Sequence, residues 1–559
     1  MRSVLRAAAA VAGILLSTSF ASAQPAAPSA GEPRFAPEAF QAHVRFLADD
    51  LLEGREAGTR GHQLAALYVA NQFHGLGLEP GGDDGWYQTV PLQERRLQSA
   101  RMTLSGPAAG ISWTNGEDVI IAPSALEPRV DLEAPVVFVG FGLDDPRNGF
   151  NDYRGLNVRG KIVVALEGTP KGTPSEIGAH LNRQKARMAM DRGAVGFVTV
   201  ATLLADKTRP WSKRLPGAAT PRMTWIGRDG KAHVEAPGLR ATATVNRPVA
   251  DALFEGAKRS FADVLAEADR EKGAPRGFPL QGRLRFEIAT DYRTTSSPNV
   301  IGVLPGSDPA LKDEVVMVMA HLDHLGMKPE GTPGDRIYNG AMDNGTGVAT
   351  MLETARALVQ SGERPRRTVM FMASTGEEKG LLGADYFGAY PVVPLERIAG
   401  LVNMDMPILT YDFADIVPYG ADSSSMGVLV ARAAARMGVK VTPDPQPQEG
   451  IFTRSDHYAL VKRGVPSVFL KTGPLDAGGG QGGAAANTAF RSTQYHEVSD
   501  ELDLPFDWAS AARFARLNWM ITRELANADE RPRWYEGDFF GETFAKAAPK
   551  AKRPGPTPR

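Results

Sequence analysis

The chain has 559 residues, 43% of them hydrophobic, with 63 Lys+Arg against 64 Asp+Glu and no cysteine. That length allows several domains or one large enzyme with an insertion, and the near-balanced charge exerts no long-range pull toward nucleic acid or anionic lipid. The lack of cysteine excludes disulfides, thiolate metal sites, cysteine nucleophiles and a lipid-modified N-terminal cysteine, so any metal has to be held by His, Asp and Glu.

Arg2 and Arg6 precede an apolar stretch, Ala7 to Leu16, and then Ala21-Ser22-Ala23. A basic region, a short apolar core and an A-x-A site predict an export signal over 1–23, cleaved after Ala23. The apolar stretch is too short to span a bilayer, and no later run is long enough. Residues 24–34 read as a Pro/Ala-rich disordered leader. Pro37 opens a helical pattern with Phe40, Val44, Leu47 and Leu51 on one face, ending near Gly54. A second helix is predicted over Thr59–Phe73. His43, His62 and His74 have no partner at i+4 and read as packing or surface residues.

From about Asn115 short β-rich runs appear, including Val136–Val139 and Lys161–Leu166, separated by Gly/Asp/Asn turns. A helix over Lys185–Arg192 leads into a strand over Ala194–Val200. Residues 116–255 contain no cluster of metal-type ligands and are predicted to be an inserted β-rich domain between segments 35–115 and 256–535. His180 and His233 read as structural or solvent-facing. In the later segment, strands are predicted at Asn299–Leu304, Glu314–Ala320, Thr368–Ala373, Ala399–Met404 and Ser467–Leu470. Helices are predicted at Gly347–Gln360, Leu381–Tyr390 and Ser424–Met437. Such alternation predicts an α/β fold with an open, largely parallel sheet covered by helices on both faces, and ligands gather at the carboxyl ends of its strands. The Gly-rich run Ala477–Ala486 lacks a Walker lysine and reads as a mobile loop beside the site. After Ala526 the chain reads as irregular, with 536–559 as a C-terminal tail that is basic and Pro-rich from Lys546 to Arg559.

Four segments carry ligand-type residues: Ala320-His321-Leu322-Asp323-His324, Ala341-Met342-Asp343-Asn344-Gly345, Thr375-Gly376-Glu377-Glu378 and Asn403-Met404-Asp405-Met406. A fifth is Tyr495-His496-Glu497, with Ser455-Asp456-His457 as its competitor. The first, third and fourth directly follow apolar strands. Clustered carboxylates at the ends of buried strands are costly unless paired, and a divalent cation supplies the partner. His321 and Asp323, two apart in extended chain, share a face, which suits an imidazole ligand oriented by a nearby carboxylate. Glu377-Glu378 offers one carboxylate to a metal and one to a water.

These motifs resemble the di-zinc aminopeptidase family that includes bacterial leucyl aminopeptidases, aminopeptidase Y and glutamate carboxypeptidase II. Leu47-Ala48-Asp49-Asp50-Leu51-Leu52-Glu53-Gly54-Arg55 is similar to that family's opening and Ser297-Pro298-Asn299-Val300-Ile301-Gly302 to its re-entry strand. Asp152-Tyr153-Arg154-Gly155-Leu156 and the strand after it resemble a protease-associated domain. The resemblance implies a three-layer αβα domain with a mixed, mostly parallel central sheet, interrupted by that insertion. It implies two zinc ions per chain: His321 and Asp405 on one, Glu378 and His496 on the other, and Asp343 bridging both. Glu377 becomes the general base, Asp323 the residue orienting His321, and Tyr495 a hydroxyl stabilising the tetrahedral intermediate. The distal histidine is read as His496 in preference to His457. Asn344 departs from the second aspartate that many relatives carry after the bridging position.

The implied activity is hydrolysis of N-terminal residues from peptide substrates by an exported enzyme, periplasmic or secreted. A carboxypeptidase or dipeptidase of the same fold is the alternative, and Arg454 and Arg491 are candidates for binding a substrate carboxylate. A related di-zinc class with a dimerisation lid fits less well, because the interval between Asp405 and His496 is too short to hold one. A non-catalytic binding protein is disfavoured by the full ligand set, and a serine hydrolase by the lack of G-x-S-x-G. The partner of the inserted domain is left open.

Overall fold

The structure is a computed structural model that describes residues 32–106 and 110–555. The predicted signal, 1–23, and most of the leader lie outside the described residues. Within them, no helix is long and apolar enough to cross a membrane.

The core of the architecture is the set of apolar runs between Val315 and Thr472. Val315–His321 pairs in parallel with Thr368–Ser374 on one side and Ile398–Met404 on the other, and Ile398–Met404 pairs in parallel with Ser467–Thr472. Asp415–Tyr419 adds an antiparallel neighbour at one end. All seven residues of Val315–His321 are buried, as expected for a parallel strand covered on both faces. Their alternation separates two cores. Val316, Val318 and Ala320 join one with the helices Pro37–Leu47, Arg60–Gly75, Thr346–Gln360 and Trp508–Asn527. Val315, Met317 and Met319 join another, containing Ala384 and Phe387 of Leu382–Ala389 and Ala459 and Leu460. The fold is therefore mixed α/β with a large, mostly parallel central sheet and helices on both faces.

A single strand of 27 residues, Phe278–Leu304, joins this sheet to the earlier β-rich block. Its end, Val300–Leu304, pairs antiparallel with Thr368–Ser374, while Phe278–Ala289 pairs with Arg129–Phe138. Beyond that lie the parallel strands Ile162–Leu166, Gly196–Val200 and Ala241–Val245. Those strands pack into an apolar cluster of their own, drawn from residues between Ala100 and Ile288.

Several predicted elements shift. The first helix stops at Leu47, because Asp49 turns its carboxylate onto the Leu51 amide and starts a separate short helical turn; Leu51 is left 77% exposed instead of buried. The helix predicted at Lys185 begins at Ser175. The strand Tyr87–Ser105 goes unpredicted, because Gln93-Glu94-Arg95-Arg96 interrupts its apolar pattern. The Gly-rich run is a loop only to Gln481: Asp476 accepts the amides of Gly480 and Gly482, and a helix runs over Gly482–Thr493. The chain after Ala526 is also more ordered than predicted, with Trp534 and Phe540 buried and Arg553 donating to the Asp422 carbonyl.

Candidate active site

The strand ends place the chemistry. His321 closes one strand, Glu377 and Glu378 follow the turn after Thr368–Ser374, and Asp405 follows Ile398–Met404. Asp343 precedes the helix Thr346–Gln360, and His496 follows the helix Gly482–Thr493. His321 Nε2 lies 3.3 Å from Asp343 Oδ1 and 3.5 Å from Asp405 Oδ1. His496 Nε2 lies 3.3 Å from Asp343 Oδ2 and 3.1 Å from Glu378 Oε2. The two oxygens of Asp343 thus face two separate imidazole–carboxylate pairs.

These are nitrogen and oxygen donors grouped as metals require. His321, Asp343 and Asp405 present ligand atoms within 4.8 Å of one another, and so do His324, Asp343 and Glu378. Imidazole with carboxylate is a donor set suited to zinc. Like charges crowded out of water are costly without a counter-charge, so the donor set fits cations. Burial drives the Asp343 carboxyl upward, yet the hydrogen bonds from His321 and His496 outweigh it and hold it well below the usual range. Burial and Asp343 likewise push Glu378 up, but His496 and His324 bring it to about 2. Burial pulls His496 down, and Glu378 with Asp343 overrides this, raising it to about 10. Glu377 differs: burial, reinforced by Glu378, Asp405 and Asp456, raises it well above the ordinary value in spite of His321.

Asp323 was expected to orient His321 through its carboxylate. The contact to His321 Nδ1 runs instead through the Asp323 backbone carbonyl, at 3.1 Å. The carboxylate accepts the backbone amides of Glu377 and Glu378, at 3.0 and 3.3 Å. His457, the competing distal histidine, is fully buried against the Phe452 and Phe469 rings, and among the described residues neither ring nitrogen has a hydrogen-bond partner. It is not among the described residues whose ligand atoms group together. Tyr495 stacks on His496 with ring centroids 3.9 Å apart, and burial holds its hydroxyl neutral by raising it further.

Four residues without a predicted role support the site. His324 Nδ1 lies 2.8 Å from Glu378 Oε1, with Nε2 buried and without a partner among the described residues. Asp500 accepts the amides of Met342 and Asp343 at 2.8 and 2.9 Å, fixing the turn that carries the central carboxylate. Asn344 donates to the His321 and Met404 carbonyls and accepts the Gly347 and Met406 amides, tying three ligand segments together. Both donors face carbonyls, a pattern an amide satisfies and a carboxylate does not. Arg55 is buried and donates to the carbonyls of Leu47, Leu322, Asn339 and Gly340. Gly54 before it has φ +69°, and a Cβ there would lie 2.3 Å from the Gly326 carbonyl oxygen, so no larger residue fits that turn.

Residues 299–522 match the family model described as Peptidase family M28. That segment is similar to the peptidases of family M28. The matched segment contains every ligand-type residue named above, from His321 to His496. Among relatives, leucine aminopeptidase 1 of Trichophyton rubrum is 26% identical over 206 residues, 35% of this chain and 52% of that protein. Leupeptin-inactivating enzyme 1 of Streptomyces exfoliatus is 36% identical over 179 residues, 31% of this chain and 36% of that protein. The probable lipoprotein aminopeptidase LpqL of Mycobacterium tuberculosis is 29% identical over 493 residues, 84% of this chain and 81% of that protein. The chain spans about half the length of the Trichophyton leucine aminopeptidases it matches. The solved aminopeptidase from Aneurinibacillus sp. strain AM-1 superposes with a TM-score of 0.51 at 18% identity, covering 89% of this chain and 96% of that one. That likeness carries the fold beyond the matched segment into the preceding β-rich block.

Proposed function

We propose that the chain is an exported, zinc-dependent aminopeptidase that removes N-terminal residues from peptides. The observation that carries this reading is Asp343, whose two oxygens face His321 and His496 separately. In the proposed arrangement His321 and Asp405 hold one zinc, Glu378 and His496 the other, and Asp343 is shared. The aminopeptidase names of the relatives support peptide substrates, and the basic, apolar and A-x-A pattern of residues 1–23 supports export. Residues 116–255 are proposed as an insertion of the protease-associated type.

Zinc at this site supplies Lewis acidity toward the scissile carbonyl and toward water. Glu377 takes the proton of the attacking water and returns it to the leaving amine, acting as base and then as acid. Asp323 holds the Glu377 and Glu378 amides and so fixes where both carboxylates point. Tyr495, kept neutral by burial, donates its hydroxyl to the oxygen on which negative charge develops.

The deciding experiment compares free and N-acetylated forms of one peptide with zinc-reconstituted protein. An aminopeptidase cleaves the free form and spares the acetylated one. Equal cleavage of both, or no zinc retained after reconstitution, defeats the proposal.

A further inference from the structure

At the ligand cluster a narrow cavity of about 40 Å³ is lined by His321, Asp343, Glu377 and Asp405 together with three cations, Arg454, Lys471 and Arg491. Lys471, near the end of the strand Ser467–Thr472, is the innermost of these. Its side chain is only 6% exposed. Its Nζ lies 5.3 Å from the centre of the Phe469 ring, and it has no hydrogen-bond or ion-pair partner among the described residues. Arg454 and Arg491 share a single acid, Glu449, at 3.3 and 3.1 Å. Asp343 and Asp405 in the same lining are engaged with His321. Three cations therefore face the cavity with one acid of their own. Lys471 feels the charge of Asp405 and Asp343, but both carboxylates are already engaged with His321, so an arriving anion supplies the buried ammonium with a partner of its own.

We infer that Lys471 is a specificity residue that anchors a carboxylate of the substrate, with Arg454 and Arg491 at the rim. This rests on the peptidase reading and names its substrate class. Two sources offer the same chemistry. One is the acidic side chain of the terminal residue, and the other is the free α-carboxylate of a dipeptide.

Three peptides separate these sources. Glu-Ala-amide carries the side-chain carboxylate only, Leu-Ala the α-carboxylate only, and Leu-Ala-amide neither. Their affinities are measured by calorimetry on zinc-reconstituted Glu377→Gln protein, with Lys471 intact, with Lys471→Met and with Lys471→Gln. With Lys471 intact, one carboxylate peptide binds at least about tenfold tighter than Leu-Ala-amide, the scale on which loss of a paired charge is felt. Its identity names the source. Either substitution removes most of that advantage. Equal affinity of all three peptides with Lys471 intact overturns the inference without recourse to any variant, as does an advantage that survives in a folded Lys471 variant. Hydrolysis of Leu-Ala-amide by the wild-type protein is read separately, so failure of the peptidase reading is not confused with failure of this one.

Discussion

Asp323 Oδ1 accepts the backbone amide of Glu377 at 3.0 Å, joining the turn after the His321 strand to the turn that carries the paired glutamates. The same carboxylate takes the Glu378 amide at 3.3 Å. An Asp323→Asn side chain presents an NH2 to one of these two N–H groups and leaves a buried donor unpaired. Turnover should fall roughly 10- to 100-fold, the usual cost of disturbing groups that orient ligands. Steady-state rates together with zinc content check this. If Asp323 acted only on His321, zinc would be lost with the rate; the amide geometry predicts that occupancy largely survives.

Glu377→Gln keeps the shape of the side chain and removes its capacity to carry a proton. Zinc binding and folding should be retained while kcat falls by roughly 10²- to 10⁴-fold. Metal analysis and single-turnover rates on one peptide decide it, and a variant near the wild-type rate removes Glu377 as the base.

The two candidate histidines are separable by zinc content and by pH. His496→Ala should lose one zinc, whereas His457→Leu should keep its full complement. Burial lowers His457 to about 4. Its folded value thus lies below the ordinary unfolded value near 6.5, so the unfolded chain binds the extra proton and stability is lost as pH falls from about 6.5 toward 4. Between pH 8 and pH 5 that loss amounts to about 2 kcal/mol from this one residue. His457→Leu, which also buries no unpartnered ring nitrogen, should narrow the stability difference between those pH values by that amount. Denaturation midpoints at pH 5 and pH 8 measure it; an unchanged difference means His457 is not held neutral.

The strand-end ligands are legible because each apolar run stops abruptly at a ligand-type residue: Val315–Ala320 at His321, Thr368–Ala373 shortly before Glu377, and Ala399–Met404 at Asp405. Residues that act by holding backbone are not legible. Asp500 lies in an ordinary acidic stretch, and its role depends on a turn more than a hundred residues earlier. Lys471 reads as one polar interruption in a strand, and what surrounds its ammonium is a property of the packed cavity. The long strand Phe278–Leu304 is legible only at its apolar end, because the alternating charged residues before it match a partner, Arg129–Phe138, that the local pattern does not announce. The opening segment ending at Arg55 is readable only by resemblance, since nothing in its composition shows what the arginine reaches.

Arg55 supplies the last prediction. Its guanidinium donates to Leu322, between His321 and Asp323, and to Asn339 and Gly340, on the approach to Asp343, while also holding Leu47 at the end of the first helix. Burial lowers it to about 10, with Asp500, Asp323 and Asp343 opposing, so it stays charged at neutral pH. Arg55→Met leaves four carbonyls without this donor, and at about 1 kcal/mol or more for each buried acceptor the folded state should lose about 4 kcal/mol. Arg55→Lys keeps the charge but offers a single tetrahedral donor group in place of the planar fork, so it should recover only part of the loss. Because two of the carbonyls belong to the segments that carry His321 and Asp343, zinc affinity should weaken in parallel with stability. Thermal denaturation with and without zinc tests both effects; a variant that loses stability while binding zinc as tightly as the wild type would mean that Arg55 braces the fold without positioning the ligands.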